Sequence, residues 1–83
     1  MSKKTKLIER LLAKPRNFTW DEAVTVMKQS GFTMLNRGGS ARWFVHEKSR
    51  IKVRLHEPHP ENTLKPYMVD ELIEGLRAAG ELQ

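Results

Sequence analysis

Three histidines, His46, His56 and His59, are the side chains best suited to moving a proton near neutral pH, since an unperturbed imidazole titrates at about 6.5. His56 and His59 stand three apart with Pro58 between them, a spacing that a metal site can use. Only Glu57 and Glu61 offer carboxylates beside them, and the chain has no cysteine, so no zinc site and no other cofactor is expected. The missing cysteines also exclude a disulfide scaffold. His46 follows the apolar run Trp43-Phe44-Val45 and reads as an exposed strand histidine.

A second set of residues suits phosphate. Arg37, Arg42, Lys48, Arg50, Lys52 and Arg54 fall on three predicted strands and their turns, and strict alternation puts Lys52 and Arg54 on one sheet face. Nucleic-acid phosphates laid across that face would release counterions and so supply affinity. A merely solvated polar face accounts for Lys48 and Arg50 equally well. Trp43 and Tyr67 are able to stack on unpaired bases. Such aromatics more commonly belong to a core, which is the expectation for both.

The elements that must position these residues share 83 positions, enough for one domain with a small core. Net charge is +5, unevenly spread: residues 1–54 hold 13 Lys/Arg against 4 Asp/Glu, and residues 55–83 hold 2 against 6. A basic body with an acidic end points to a polyanionic partner. No apolar run approaches the roughly 18 residues of a membrane span. The start, Met1-Ser2-Lys3-Lys4, lacks the apolar stretch of a signal peptide, and a small cytoplasmic domain without membrane contact is expected.

Leu7, Ile8, Leu11 and Leu12 predict a helix over 5–13, capped by Thr5 and stopped by Pro15. Thr19-Trp20-Asp21-Glu22 is a capping box opening a second helix, with Trp20, Ala23, Val24 and Met27 as its buried stripe and Gly31 as its end. Strands are predicted over 32–37, 40–47 and 51–56, with a Gly38-Gly39 turn between the first two. The run Trp43-Phe44-Val45 hides which face of the second strand is buried. Pro58 and Pro60 impose a loop, and a last helix begins near Pro66 and ends at Gly80. Gly75 lies inside that helix at a cost of about 1 kcal/mol relative to Ala, explained either by close packing on the sheet or by drift. The order is α-α-β-β-β-α, an α+β domain with helices on one face of a three-stranded sheet.

From Trp20 onward the chain resembles the HicA toxins, small ribonucleases of bacterial toxin–antitoxin pairs. Gly31-Phe32 ends the helix before the sheet, and Gly39-Ser40-Ala41-Arg42-Trp43-Phe44 is similar to the family's Gly-Ser-His-x-x-Phe. The block from Leu55-His56-Glu57-Pro58-His59-Pro60 through Asn62, Leu64, Lys65, Pro66 and Tyr67 matches one branch's His-x-Pro-His-Pro-x-Asn-x-Leu-Lys-Pro-Tyr signature. The resemblance implies a double-stranded-RNA-binding-domain-like core over 19–83, preceded by an extra helix and loop over 1–18. It also implies metal-independent cleavage of mRNA, a HicB-like antitoxin partner, and contact with DNA only through that antitoxin.

One position departs. The family's catalytic histidine falls at position 41, where this chain has Ala41. A methyl group neither takes the ribose 2′-hydroxyl proton nor protonates the departing 5′ oxygen. The chain is therefore read as a catalytically dead toxin, either engineered or naturally decayed; the otherwise intact signature favours engineering. RNA binding is assigned to Arg37, Ser40, Arg42, Lys52, Arg54 and His56. A non-catalytic RNA-binding module of the same fold fits Ala41 directly, and a protein-interaction domain using the acidic last helix is a third reading.

Overall fold

Capping decides where the second helix starts. The Thr19 hydroxyl accepts a hydrogen bond from the Glu22 amide at 3.2 Å, and the Glu22 carboxylate accepts one from the Thr19 amide at 3.0 Å. This is the reciprocal box read from the sequence. The computed structural model describes residues 3–36, 41–58 and 60–82. It contains α1 (Lys3–Leu12), α2 (Trp20–Gln29), β1 (Phe32–Asn36), β2 (Ala41–His46), β3 (Lys52–His56) and α3 (Pro66–Ala78). The protein is thus α+β, with a three-stranded antiparallel sheet in the order β1-β2-β3, consistent with a double-stranded-RNA-binding-domain-like fold. The predicted Gly38-Gly39 turn lies outside the described residues.

Local chemistry ends the helices as expected, with one shift at the start. α1 begins at Lys3, so position 5 lies within the helix and not at its start. Lys14, at φ 52°, has left the helical region immediately before Pro15. Gly31 follows α2 at φ +87°, and Gly80 follows α3 at φ +78°. Both positions are left-handed, where glycine alone avoids a Cβ penalty.

α2 and α3 bury their stripes on one face of the sheet, and α1 packs against both helices. Phe18, Phe44, Leu11, Met27, Leu72 and Leu76 are the largest side chains removed from solvent. Trp20 packs on Phe44 with ring centroids 5.8 Å apart. From the strands, Phe32, Phe44, Val53 and Leu55 reach this core, and Met34 packs against it. Gly75 has its reason here: a Cβ at that position would overlap Val53 Cγ2. Close packing, and not drift, explains the glycine.

The N-terminal helix is joined to the rest by the same means. Leu11 is fully buried, with Leu7 and Ile8 packed beside it. Arg10 grips Glu22 at 2.8 and 3.1 Å, and Lys14 pairs with Asp70 at 2.9 Å. The Arg10 guanidinium holds the Glu22 carboxyl down at about 2, its hydrogen bond being the largest cause and the Thr19 amide a lesser one.

Candidate functional site

Sheet register sorts the strand residues into two faces. Ala41 lies opposite His56, Trp43 lies between Leu35 and Arg54, and Val45 lies between Thr33 and Lys52. Partners directly across an antiparallel ladder point to the same side. Ala41, Trp43 and Val45 therefore share a face with Lys52, Arg54 and His56, and that face is turned away from the helices. Lys52, Arg54 and His56 are exposed there, alternating with buried Val53 and Leu55.

Ala41, Lys52, Arg54 and His56 are thus brought together, and Arg42 is not. It projects to the helix side of β2, where its guanidinium contacts Asn36 Oδ1 at 3.3 Å and Glu57 at 3.4 Å. A period of two forces this: neighbours on one strand cannot face the same way. Arg37, Ser40 and His59 lie outside the described residues.

The aromatic expectations need correction. Trp43 is half-buried on the open face and belongs to no core cluster, and Tyr67 is 54% exposed on the first turn of α3. Of the three consecutive apolar residues only Phe44 turns inward, because only its side of β2 has helices to meet it.

His46 corrects the sequence reading in the opposite direction. It is 4% exposed, at the far end of β2 from Ala41. Its Nδ1 accepts the Ser49 amide at 3.1 Å and lies 2.8 Å from the Ser49 hydroxyl. The ring proton is consequently on Nε2, which donates to Glu81 at 3.0 Å. Phe32 packs on the ring at 4.9 Å. Alternation from Phe44 gives the inward direction, but Ser49 and Glu81 as partners come only from the tertiary fold.

Near position 41 the signature block folds into a cleft. His56, Glu57, Pro58, Lys65 and Tyr67 are among the walls of a cavity of about 510 Å³ that opens beside β3. Backbone bonds fix its far side: the Trp20 amide donates to the Asn62 carbonyl at 2.6 Å, and the Leu64 amide to the Phe18 carbonyl at 2.8 Å. Leu64 is buried between these bonds and the core. The Asn-x-Leu of the signature is thus a backbone clasp onto the start of α2.

Residues 20–80 match the family model for the HicA toxin of bacterial toxin–antitoxin systems. The chain belongs to the HicA toxin family. The match begins at Trp20, so α1 lies before it, although α1 is packed into this protein's core. Comparison with curated proteins and with solved structures gives no match. As a HicA-family protein, the chain is the toxin of a toxin–antitoxin pair, and the family implies an antitoxin partner. No helix among the described residues is long and apolar enough to cross a membrane.

Proposed function

We propose that this HicA-family chain has the frame of an endoribonuclease acting on mRNA in the cytoplasm, and that it binds RNA without cutting it. The observation that carries the reading is the register of β2 and β3. It sets Ala41 across from His56 on the open face, in line with Lys52 and Arg54. Directly paired residues have Cβ atoms about 5 Å apart, within reach of one ribose–phosphate linkage.

In that frame a histidine at position 41 would act as one proton-transfer group. A base takes the 2′-hydroxyl proton, the freed oxygen attacks the adjacent phosphorus, and the 5′ oxygen leaves with a proton from an acid. His56 is the remaining imidazole facing the same linkage. Lys52 and Arg54 would hold flanking phosphates and steady the charge on the phosphorus during attack. The alanine favours a second reading on its own account, a non-catalytic RNA-binding module of the same fold. An antitoxin of the HicB kind would block either activity by covering this face, and an acidic covering surface would find it quickly.

Ala41→His separates the two readings. It should restore RNA cleavage in the presence of a chelator, by roughly 10²–10⁴-fold over the parent chain. It should also arrest growth when expressed without an antitoxin. A folded Ala41→His protein that binds RNA and leaves it intact would give first place to the non-catalytic module.

A further inference from the structure

The open face is apolar at its centre and cationic along one side. Leu35 and Trp43 are cross-strand partners, and Val45 follows Trp43 on the same side of β2. None of the three joins the core, and with Lys52 they wall a shallow depression of about 150 Å³. The Arg54 guanidinium lies 5.8 Å from the centroid of the Trp43 ring, within cation–π range. Among the described residues, neither Lys52 nor Arg54 forms an ion pair with a carboxylate.

Resting on the RNA reading above, we propose that this depression is a subsite for one unpaired nucleobase. The base lies against the Trp43 indole with Leu35 and Val45 beside it, and the adjoining phosphates meet Lys52 and Arg54. Two residues of strand separate those cations by about 7 Å, a spacing that suits successive phosphates of one extended chain. The substrate class is then single-stranded RNA or an unpaired loop.

Two physical arguments favour this occupant. In an A-form duplex the base faces are already stacked, and proteins read it by phosphate and 2′-hydroxyl contacts across about 16 base pairs. Such a surface offers nothing to a half-buried indole. A protein partner held by this patch alone would find far less than the roughly 800 Å² per side of a standard interface. An unpaired base supplies a π-face and a negative charge within one nucleotide, matching what Trp43, Lys52 and Arg54 present.

Tryptophan fluorescence reads the contact directly, because the other tryptophan, Trp20, is 5% exposed and shielded in the core. Four probes suffice: a short oligoadenylate, its abasic ribose–phosphate counterpart, an RNA duplex of about 16 base pairs, and polyglutamate. Oligoadenylate should quench Trp43, and the other three should quench it weakly or not at all. Trp43→Ala should weaken oligoadenylate binding by about 5- to 150-fold, and Trp43→Phe should recover most of that loss. The salt slope should not change in either variant, since no charge is removed.

Salt-dependent binding with equal affinity for the abasic strand, unaltered by Trp43→Ala, would remove the base subsite and leave the RNA reading standing. Equal quenching by polyglutamate would show a surface that reads charge alone, suited to an acidic protein, and would overturn the nucleobase assignment. Absence of salt-dependent binding to any RNA would take down both readings. Phe at position 43 keeps the test decisive if the alanine variant is unfolded.

Discussion

The two faces of the sheet are built from the same three strands and put to opposite uses. On the helix side, Phe32, Phe44, Val53 and Leu55 are 0–6% exposed in the core formed with α2 and α3. On the other, Leu35, Trp43 and Val45 are half-buried beside exposed Lys52, Arg54 and His56. The histidines follow this division. His46, on the packed side, has both ring nitrogens engaged, with Ser49 and Glu81, and is structural. His56, on the open side, faces position 41. Stability therefore resides on one face, and the proposed chemistry on the other.

Truncating across that divide should give the largest effect. Phe44→Ala should cost about 3–5 kcal/mol, because it opens a cavity against Trp20 and Val53. Val45→Ala, one residue along, should cost about 1 kcal/mol, since its side chain is only partly buried and lies outside the core. Urea denaturation of both variants measures the difference, and equal losses would mean that the open face is covered in solution.

Gly75 tests how tightly the packed side is closed. Gly75→Ala should gain about 1 kcal/mol in helix propensity but lose more to the overlap with Val53, for a net loss of about 1 kcal/mol. With Val53→Ala already present the same change should become neutral or stabilising. A Gly75→Ala protein with an unchanged melting midpoint would show that α3 moves freely on the sheet.

Acid titration examines the cap that anchors the packed side. The Glu22 carboxyl lies at about 2 when folded, against an ordinary value of 4.5. Its folded-state value is depressed, so its stabilisation is present above pH 4.5 and is lost as pH falls from there towards 2. Glu22→Gln should remove roughly 1 kcal/mol at neutral pH, a modest figure because the pair with Arg10 is partly solvated. It should also flatten the stability profile below pH 4.5, and a profile matching the parent would exclude the Arg10–Glu22 contact as its cause.

The smallest stability effect belongs to the open face. Lys52→Ala with Arg54→Ala should shift unfolding by no more than about 0.5 kcal/mol, as neither residue supports the core. The same pair should lower the log–log salt slope of single-stranded RNA binding by about 1.4. A large stability loss with an unchanged slope would reverse the roles assigned to the two faces.

Much of this arrangement was legible in the chain itself. Thr19 and Glu22 announced the capping box, Pro15 and Gly31 the ends of helices, and the alternation of Val53 and Leu55 with Lys52, Arg54 and His56 a half-buried strand. These are local effects, set by backbone geometry and by periods of two and 3.6, so a short window of sequence is enough to specify them. The signature from His56 to Tyr67 likewise identified the family. What the windows lacked was the identity of the neighbour. The run Trp43-Phe44-Val45 has no polar residue to break the tie, and only α2 and α3, packed on one side, decided that Phe44 goes in and Trp43 stays out. His46 lies 35 residues from Glu81, and Gly75 is far along the chain from Val53, whose side chain excludes a Cβ there. Burial of a polar ring and the need for a missing side chain depend on atoms that arrive from elsewhere in the chain, and packing alone brings them there.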